Sequence, residues 1–209
     1  MSETQKQNIS IVLDVEFESS NMINGNIIQM AFVAIPNKYE GEDLLSKDWI
    51  IDELSVCFED QPGKVKEENV MAFWAKFPEV RERIRSEAGP ISEKMQEVKQ
   101  WLNRLSVKYN ITDFVSDLSC VDFAWFRNIY LTYCTSEDSV FEMPYSCICT
   151  SSMDKVVNNF MGYPRELQYL YDESIAFPHT HYALEDARKT GYDYIRLKML
   201  IQRLTVHSE

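Results

Sequence analysis

The 209-residue sequence predicts an α/β fold, a mixed sheet of three antiparallel strands followed by parallel strands and flanked by helices. Two observations carry this. Three strand-like runs separated by turn signals open the chain, and from residue 66 onward helix-like segments alternate with short strand-like ones. The first strand is residues 9–18, where Ile11, Leu13, Val15 and Phe17 share one face and Val12, Asp14 and Glu16 the other. Asn24-Gly25, a dipeptide that favours hairpins, predicts the turn into a second strand at 26–35. "WIIDELSVCFE" is the third strand. Helices are expected at "KEENVMAFWAKF" and at "SEKMQEVKQWLNRLSVKY", the latter with Ser92 as N-cap. A strand at "ITDFVSD", a helix at "DFAWFRNIYLTYC" and a strand at "YSCICTS" follow. The last helix runs from Ala183 to Leu204, with Tyr192, Ile195, Leu197, Met199 and Leu200 among its apolar positions. Strands alternating with helices call for parallel pairing, with the helices packed on the sheet.

Composition sets the frame. With 45% hydrophobic and 26% charged residues, a chain of this length supports one domain, residues 1–209, with a sizeable core. The polar start MSETQKQN has no apolar signal core, and no run approaches the roughly 18 apolar residues of a membrane span, so a soluble protein without a membrane partner is the expectation. Five cysteines, Cys57, Cys120, Cys134, Cys147 and Cys149, are odd in number and irregularly spaced in apolar or strand-like sequence. That suits reduced, buried thiols and a cytoplasmic location. Cys147 and Cys149 form a C-x-C pair that, with His179 and His181, invites a zinc reading, but the spacing is not that of structural zinc and packing is favoured.

The net charge of −12 argues against a protein that holds long duplex through many phosphate contacts. Basic residues in "RERIRSEAGPISEKMQEVKQWLNRLSVK" are interleaved with Glu, as on a solvated helical face. A nucleic-acid footprint here is small, a few nucleotides at a chain end, with divalent cations supplying positive charge.

The paired carboxylates of the first strand need company to be more than a solvated edge. Asp122, at the opening of a helix in "SCVDFAWF", is either a cap or an anion placed where helix donors favour it. In "HTHYALEDARKT", His181 precedes Asp186 by five residues, a spacing that does not share a helical face. Both reach one place only if His181 lies on the loop entering the helix and Asp186 on its first turns. His179, after Pro178, is expected to stand one step back. Three antiparallel strands followed by alternating helix and strand is the ribonuclease-H-like arrangement, with the first strand central.

Asp14-x-Glu16, Asp122 in "VDFAWF", and "HYALEDA" with His181 and Asp186 resemble, in order and context, the three motifs of the DEDDh 3'-5' exonuclease superfamily. That group includes proofreading exonuclease subunits, RNase T and oligoribonuclease. "VMAFWAKFPEVRERI" and "SCVDFAW" are similar to segments of phage DexA-type exonucleases and of adenylate-preferring actinobacterial exoribonucleases. Where many relatives follow D-x-E with Thr-Gly, this chain has Phe17-Glu18. The resemblance implies a hydrolase that releases nucleoside 5'-monophosphates from single-stranded 3' ends. Asp14, Glu16, Asp122 and Asp186 would hold two Mg2+ or Mn2+ ions, Asp14 bridging both, and His181 would serve as general base. The chemistry accounts for these residue types: two divalent ions about 3.5–4 Å apart stabilise a phosphodiester transition state, and they require hard oxygen ligands.

Phe17, Phe73 and Trp74 are candidate stacking platforms for terminal bases. "YPRELQYLYDES" is a candidate lid or homodimer surface. Two other readings stand beside the nuclease: a non-catalytic nucleic-acid or protein-binding module on the same fold, and a zinc-binding interaction protein. Retention of all five catalytic-type positions favours the enzyme. RNA is slightly favoured over DNA, since an acidic, compact nuclease suits short single-stranded ends.

Overall fold

The computed structural model describes residues 6–40, 44–134, 139–161 and 178–206; "YPRELQYLYDES" lies outside them. The strands are β1 (Asn8–Phe17), β2 (Ile27–Pro36), β3 (Asp52–Phe58), β4 (Ala88–Gly89), β5 (Asn110–Ser116) and β6 (Ile148–Cys149). The helices are α1 (Glu68–Trp74), α2 (Pro78–Ser86), α3 (Ile91–Lys108), α4 (Asp122–Tyr133), α5 (Thr150–Val156) and α6 (Ala183–Val206). The sheet order is β4-β3-β2-β1-β5-β6, with β1, β2 and β3 antiparallel and the β3–β4, β1–β5 and β5–β6 pairs parallel. No helix among the described residues is long and apolar enough to cross a membrane.

β1 is central, and it has no solvated face. Ile11, Leu13 and Val15 pack with Phe32, Trp101 of α3 and Phe126 of α4, while Val12 packs with Ala31, Val33, Trp49 and the α6 residues Ala187, Tyr192 and Ile195. That two-sided burial explains the nearly continuous apolar run ISIVL. Pairing with β5 ends at Val12–Val115, whereas pairing with β2 continues to Phe17. One side of β1 is therefore open from Leu13 onward, at the carboxyl ends of parallel strands, where open α/β sheets place their ligands.

Several expected boundaries shift, each for a local reason. The helix expected at 66–77 is confined to α1, Glu68–Trp74, and a separate α2 starts at Pro78, because a proline excludes the residue before it from helix and suits the first helical position. α3 starts after Pro90, placing Ser92 inside the first turn with no side-chain cap. The strand at "YSCICTS" shrinks to Ile148–Cys149, and α5 begins at Thr150. All five cysteines are free, as expected, but only Cys57 and Cys134 are buried; Cys120 is exposed, on the turn before α4.

Asn24-Gly25 does not form a two-residue hairpin either. The β1–β2 connection is a longer loop in which the Gly25 N–H donates to the Asn21 carbonyl at 2.6 Å and Gly25 bridges Val65. Glycine is required there by close approach: a Cβ would lie 2.4 Å from the Asn21 carbonyl oxygen and 2.9 Å from the Trp125 ring. Gly25→Ala is expected to cost about 1–3 kcal/mol of stability, the range for overpacking a filled site. A lowered urea midpoint at unchanged slope is the expected outcome, and an unshifted midpoint counts against it.

Candidate active site

A cleft of about 490 Å³ opens at the free side of β1. Its walls are the Asp14–Phe17 end of β1, Val70, Phe73 and Trp74 of α1, Asp117, Leu118, Val121 and Asp122 around the β5–α4 connection, and the start of α6 with its entering loop. Asp14 and Glu16 reach it because they continue the Val12 face of β1, the face that α6 covers. Asp186 arrives on the first turn of α6. That helix end is fixed to the sheet by Gln29 of β2, which accepts the Ala183 N–H at 2.9 Å and donates to the Ser55 hydroxyl.

One carboxylate oxygen from each of Asp14, Glu16 and Asp186 lies within 4.8 Å of the others. Burial first, and then the surrounding carboxylates, push Asp14 and Glu16 well above the usual range: Glu16, Asp122 and Asp186 act on Asp14, and Asp186 and Asp122 on Glu16. Burial also raises Asp122 to about 7, against the Leu118 N–H that donates to it at 3.3 Å. Asp122 is not a helix cap, since the N-cap position is Val121. Carboxylates held this close and this dry are a set of hard oxygen donors, and the donor chemistry fits a divalent cation such as Mg2+ or Mn2+.

Asp186 behaves differently from its neighbours. Its burial opposes charge, but the His179 ring and the Thr180 and His181 amides together hold its carboxyl below the usual range. His179 Nδ1 lies 3.1 Å from Asp186 Oδ2, so His179, expected one step back, is the imidazole in direct contact with the carboxylate. That hydrogen bond raises the His179 pKa. His181 meets Asp186 through its backbone N–H at 2.9 Å, while its ring lines the cleft between Phe73 and Phe77. Burial, and then the neighbouring His179, lower its pKa. His181 lies on the loop entering α6, as the five-residue spacing requires, with φ 59°. A non-glycine residue held in that region costs of order 1–3 kcal/mol and persists only where its surroundings fix it.

The cleft thus gathers Asp14, Glu16, Asp122, Asp186 and His181, together with the aromatic candidates Phe17, Phe73 and Trp74. Phe17, partly exposed, stacks on Trp125 at 5.6 Å. Phe73 is also partly exposed, whereas Trp74 is 1% exposed and donates its indole N–H to the Phe17 carbonyl. The groups of cation-competent side chains among the described residues are Asp14, Glu16, Asp186 and His179, His181, Asp186; neither includes Cys147 or Cys149. Sequence reasoning missed Asp117, Lys189 and Asp193, which also line the cleft. Helical periodicity held the signal for two of them, since Lys189 and Asp193 follow Asp186 at i+3 and i+7.

Behind the first motif, the Glu18 that stands in place of the expected glycine is 1% exposed. Arg81 and Lys66 pair with it at 2.5 and 2.8 Å, and the Asn26 amide donates to it. Burial works against its charge, and those cations outweigh burial, lowering its pKa. The Phe17-Glu18 departure is thus a buried ion cluster that ties the end of β1 to α2.

No family model and no curated protein matches the chain. Solved structures do match. The nuclease domain of 3'hExo, described as a DEDDh family member bound to rAMP, aligns at TM-score 0.54 and 12% identity over 97% of this chain and 95% of that one. Exonuclease I aligns at TM-score 0.66 and 11% identity over 96% and 43%, and cell-death related nuclease 4 (CRN-4) at 0.58 and 16% over 93% and 64%. The chain spans under half the length of exonuclease I. These likenesses establish the ribonuclease-H-like fold of the DEDDh exonucleases.

Crowding makes a testable statement about the metal-free protein. A carboxyl whose folded pKa is raised costs stability once pH climbs above its unfolded value near 3.9, and the cost is complete above the folded value. Asp14→Asn, which cannot ionise, is therefore expected to raise the denaturant midpoint at pH 7 in EDTA, with the gain disappearing below about pH 4. Equal midpoints at both pH values count against the crowding.

Proposed function

We propose that this chain is a divalent-metal-dependent 3'-5' exonuclease that hydrolyses phosphodiesters at single-stranded 3' ends and releases nucleoside 5'-monophosphates. The observation that carries this reading is the convergence of Asp14, Glu16, Asp122, Asp186 and an imidazole on one cleft. Its setting, a fold shared with DEDDh exonucleases, supports the same conclusion. Asp14, Glu16, Asp122 and Asp186 would hold Mg2+ or Mn2+. When bound, such cations polarise the scissile phosphate and lower the pKa of the attacking water.

The chain's own residues do the rest. His181, with its pKa lowered by burial, is neutral at physiological pH and accepts the proton of the attacking water. Phe17 and Phe73 offer ring faces to the terminal bases, and Trp74 holds the Phe17 backbone from beneath. Stacking of this kind is sequence-tolerant, because every base has a π-face. RNA ends are slightly favoured over DNA. The 3'hExo nuclease domain is described with rAMP and an E. coli exonuclease I with ssDNA, so ribonucleotide and deoxyribonucleotide ligands are both found on this fold.

Matched oligoribonucleotides and oligodeoxyribonucleotides labelled at the 5' end test the reading directly, with a ladder shortening from the 3' end expected in Mn2+ or Mg2+. Asp14→Ala should abolish turnover. Substantial activity in EDTA, or a wild-type rate in that variant, would overturn the metal mechanism.

The two histidines separate by rate. Loss of a general base costs about 10²- to 10⁴-fold, so His181→Ala is expected to lower kcat within that range, with His179→Ala doing much less. The acidic limb of the pH–rate profile should flatten in the His181 variant alone. A larger loss in His179→Ala would transfer the base role to the imidazole that touches Asp186.

A further inference from the structure

The wall against which the His181 ring lies is aromatic, and α2 grips the His-bearing loop from both of its ends. The imidazole centroid lies 4.8 Å from the Phe73 ring and 4.5 Å from the Phe77 ring. Phe77 is the N-cap residue of α2. The next residue along the loop, Tyr182, is buried against the same wall with Trp74 and Ile84. Its hydroxyl donates to Glu87 Oε2 at 2.8 Å, and the Arg83 guanidinium carbon lies 3.5 Å from its ring centroid. Arg83 sits in the last turn of α2 and Glu87 is its C-cap residue. Arg83 also reaches Glu185 on the first turn of α6 at 3.0 Å. One face of α2 therefore touches the imidazole at its beginning and holds the following residue at its end.

This bracing matters because the His181 backbone is left-handed, with φ 59°. Asp186 fixes the loop from within by accepting the Thr180 and His181 amides. Nothing in that pair of backbone bonds orients the imidazole, which turns about its own side-chain bonds. A general base works only within hydrogen-bond reach of its proton, and a displacement of about 1 Å at a reacting group can cost about 10²-fold.

We propose that Phe77 and Tyr182 are positioning residues for His181: Phe77 wedges the imidazole, Tyr182 pins the turn, and α2 is the brace that joins them. The proposal rests on the reading of His181 as the proton acceptor. Ordinary core packing would give the two residues a share in stability and no selective coupling to His181, which is what the experiment separates.

The variants are Phe77→Leu, which keeps an apolar side chain, and Tyr182→Phe, which removes one hydroxyl. With a 5'-labelled oligonucleotide and Mn2+, Phe77→Leu is expected to lower kcat about tenfold or more at nearly unchanged KM, within the reach of misorientation. Tyr182→Phe should lower it several-fold. In a His181→Ala background, neither change should cost anything further, because residues that act through a lost group no longer contribute. Equal losses with and without His181 overturn the proposal.

A second readout needs no turnover. The chain has three histidines, and the ring protons of His181, set against two phenyl rings, should resonate at ring-current-shifted positions. Tyr182→Phe, which leaves both phenyl rings in place, should move or broaden those signals. Unmoved His181 signals in Tyr182→Phe overturn the proposal. A wild-type chain without nuclease activity would sink the exonuclease reading instead, and the ring signals would still decide whether Tyr182 holds the imidazole.

Discussion

Asp14 and Glu16 occupy the strand that the sheet can least spare for charge. β1 lies between β2 and β5, and its two faces are packed by α3 and α4 on one side and by α6 on the other. Carboxylates in such a position repel one another and resist ionisation, because burial withholds the water that would solvate them. The structure tolerates them only because β1 outruns β5, so that the last half of the strand borders a cleft instead of a neighbour. Where the charges sit and where the sheet opens are one fact. Asp122 and Asp186 then come to the same opening from α4 and α6, which are the elements packed on the two faces of that strand.

The region just past Glu16 shows how a charged strand end is kept in place. The ladder slips at Glu16–Phe17, and the chain beyond it is held by groups far apart in sequence. Glu18 is paired with Lys66 and Arg81, and Glu67 accepts from the Ser19 and Ser20 hydroxyls. Gln61 stands in for a strand partner, accepting the Ile27 N–H and donating to the Ile27 carbonyl. A buried ion cluster of this kind is weak evidence for net stability, since desolvation offsets the Coulomb gain. What it does provide is a fixed register between β1 and the α1–α2 wall, with Arg81 of α2 and the Trp74 indole holding Glu18 and the Phe17 carbonyl.

Much of this was legible in the sequence, and the parts that were not share a cause. Ten-residue strands with unmistakable alternation or continuous apolar character, such as β1 and β2, declare themselves locally. So does α6, whose apolar positions repeat along 24 residues. The four acidic residues and His181 stood out by type and order, and the fold brings them to one cleft. β4 was not, and the strand expected at 145–151 came out as the two-residue β6, because strands this short exist only by virtue of the neighbours they pair with, β3 and β5. The turn at Asn24-Gly25 between β1 and β2 was legible but the length of its loop was not, because Gly25 pairs with Val65, forty residues on. His179 escaped because its approach to Asp186 depends on the left-handed backbone at His181, which reverses the direction of the loop and has no signature in residue type.

Asp186 joins these strands of reasoning. One of its oxygens accepts the Thr180 amide, the other accepts the His181 amide and faces the His179 ring, and the same carboxyl stands within the cluster formed with Asp14 and Glu16. The loop that carries the imidazoles and the cluster suited to cations are consequently not separate modules that happen to be adjacent. A shift of the loop moves the carboxylate, and a cation bound at the carboxylate would pull on the loop through two backbone hydrogen bonds. Gln29 anchors the Ala183 amide to β2, and α2 anchors Tyr182. Those two fixed points are adjacent in the chain, so the part of the loop left to respond is His179–His181. The acid cluster and the histidine loop therefore form one mechanical unit, centred on a single side chain.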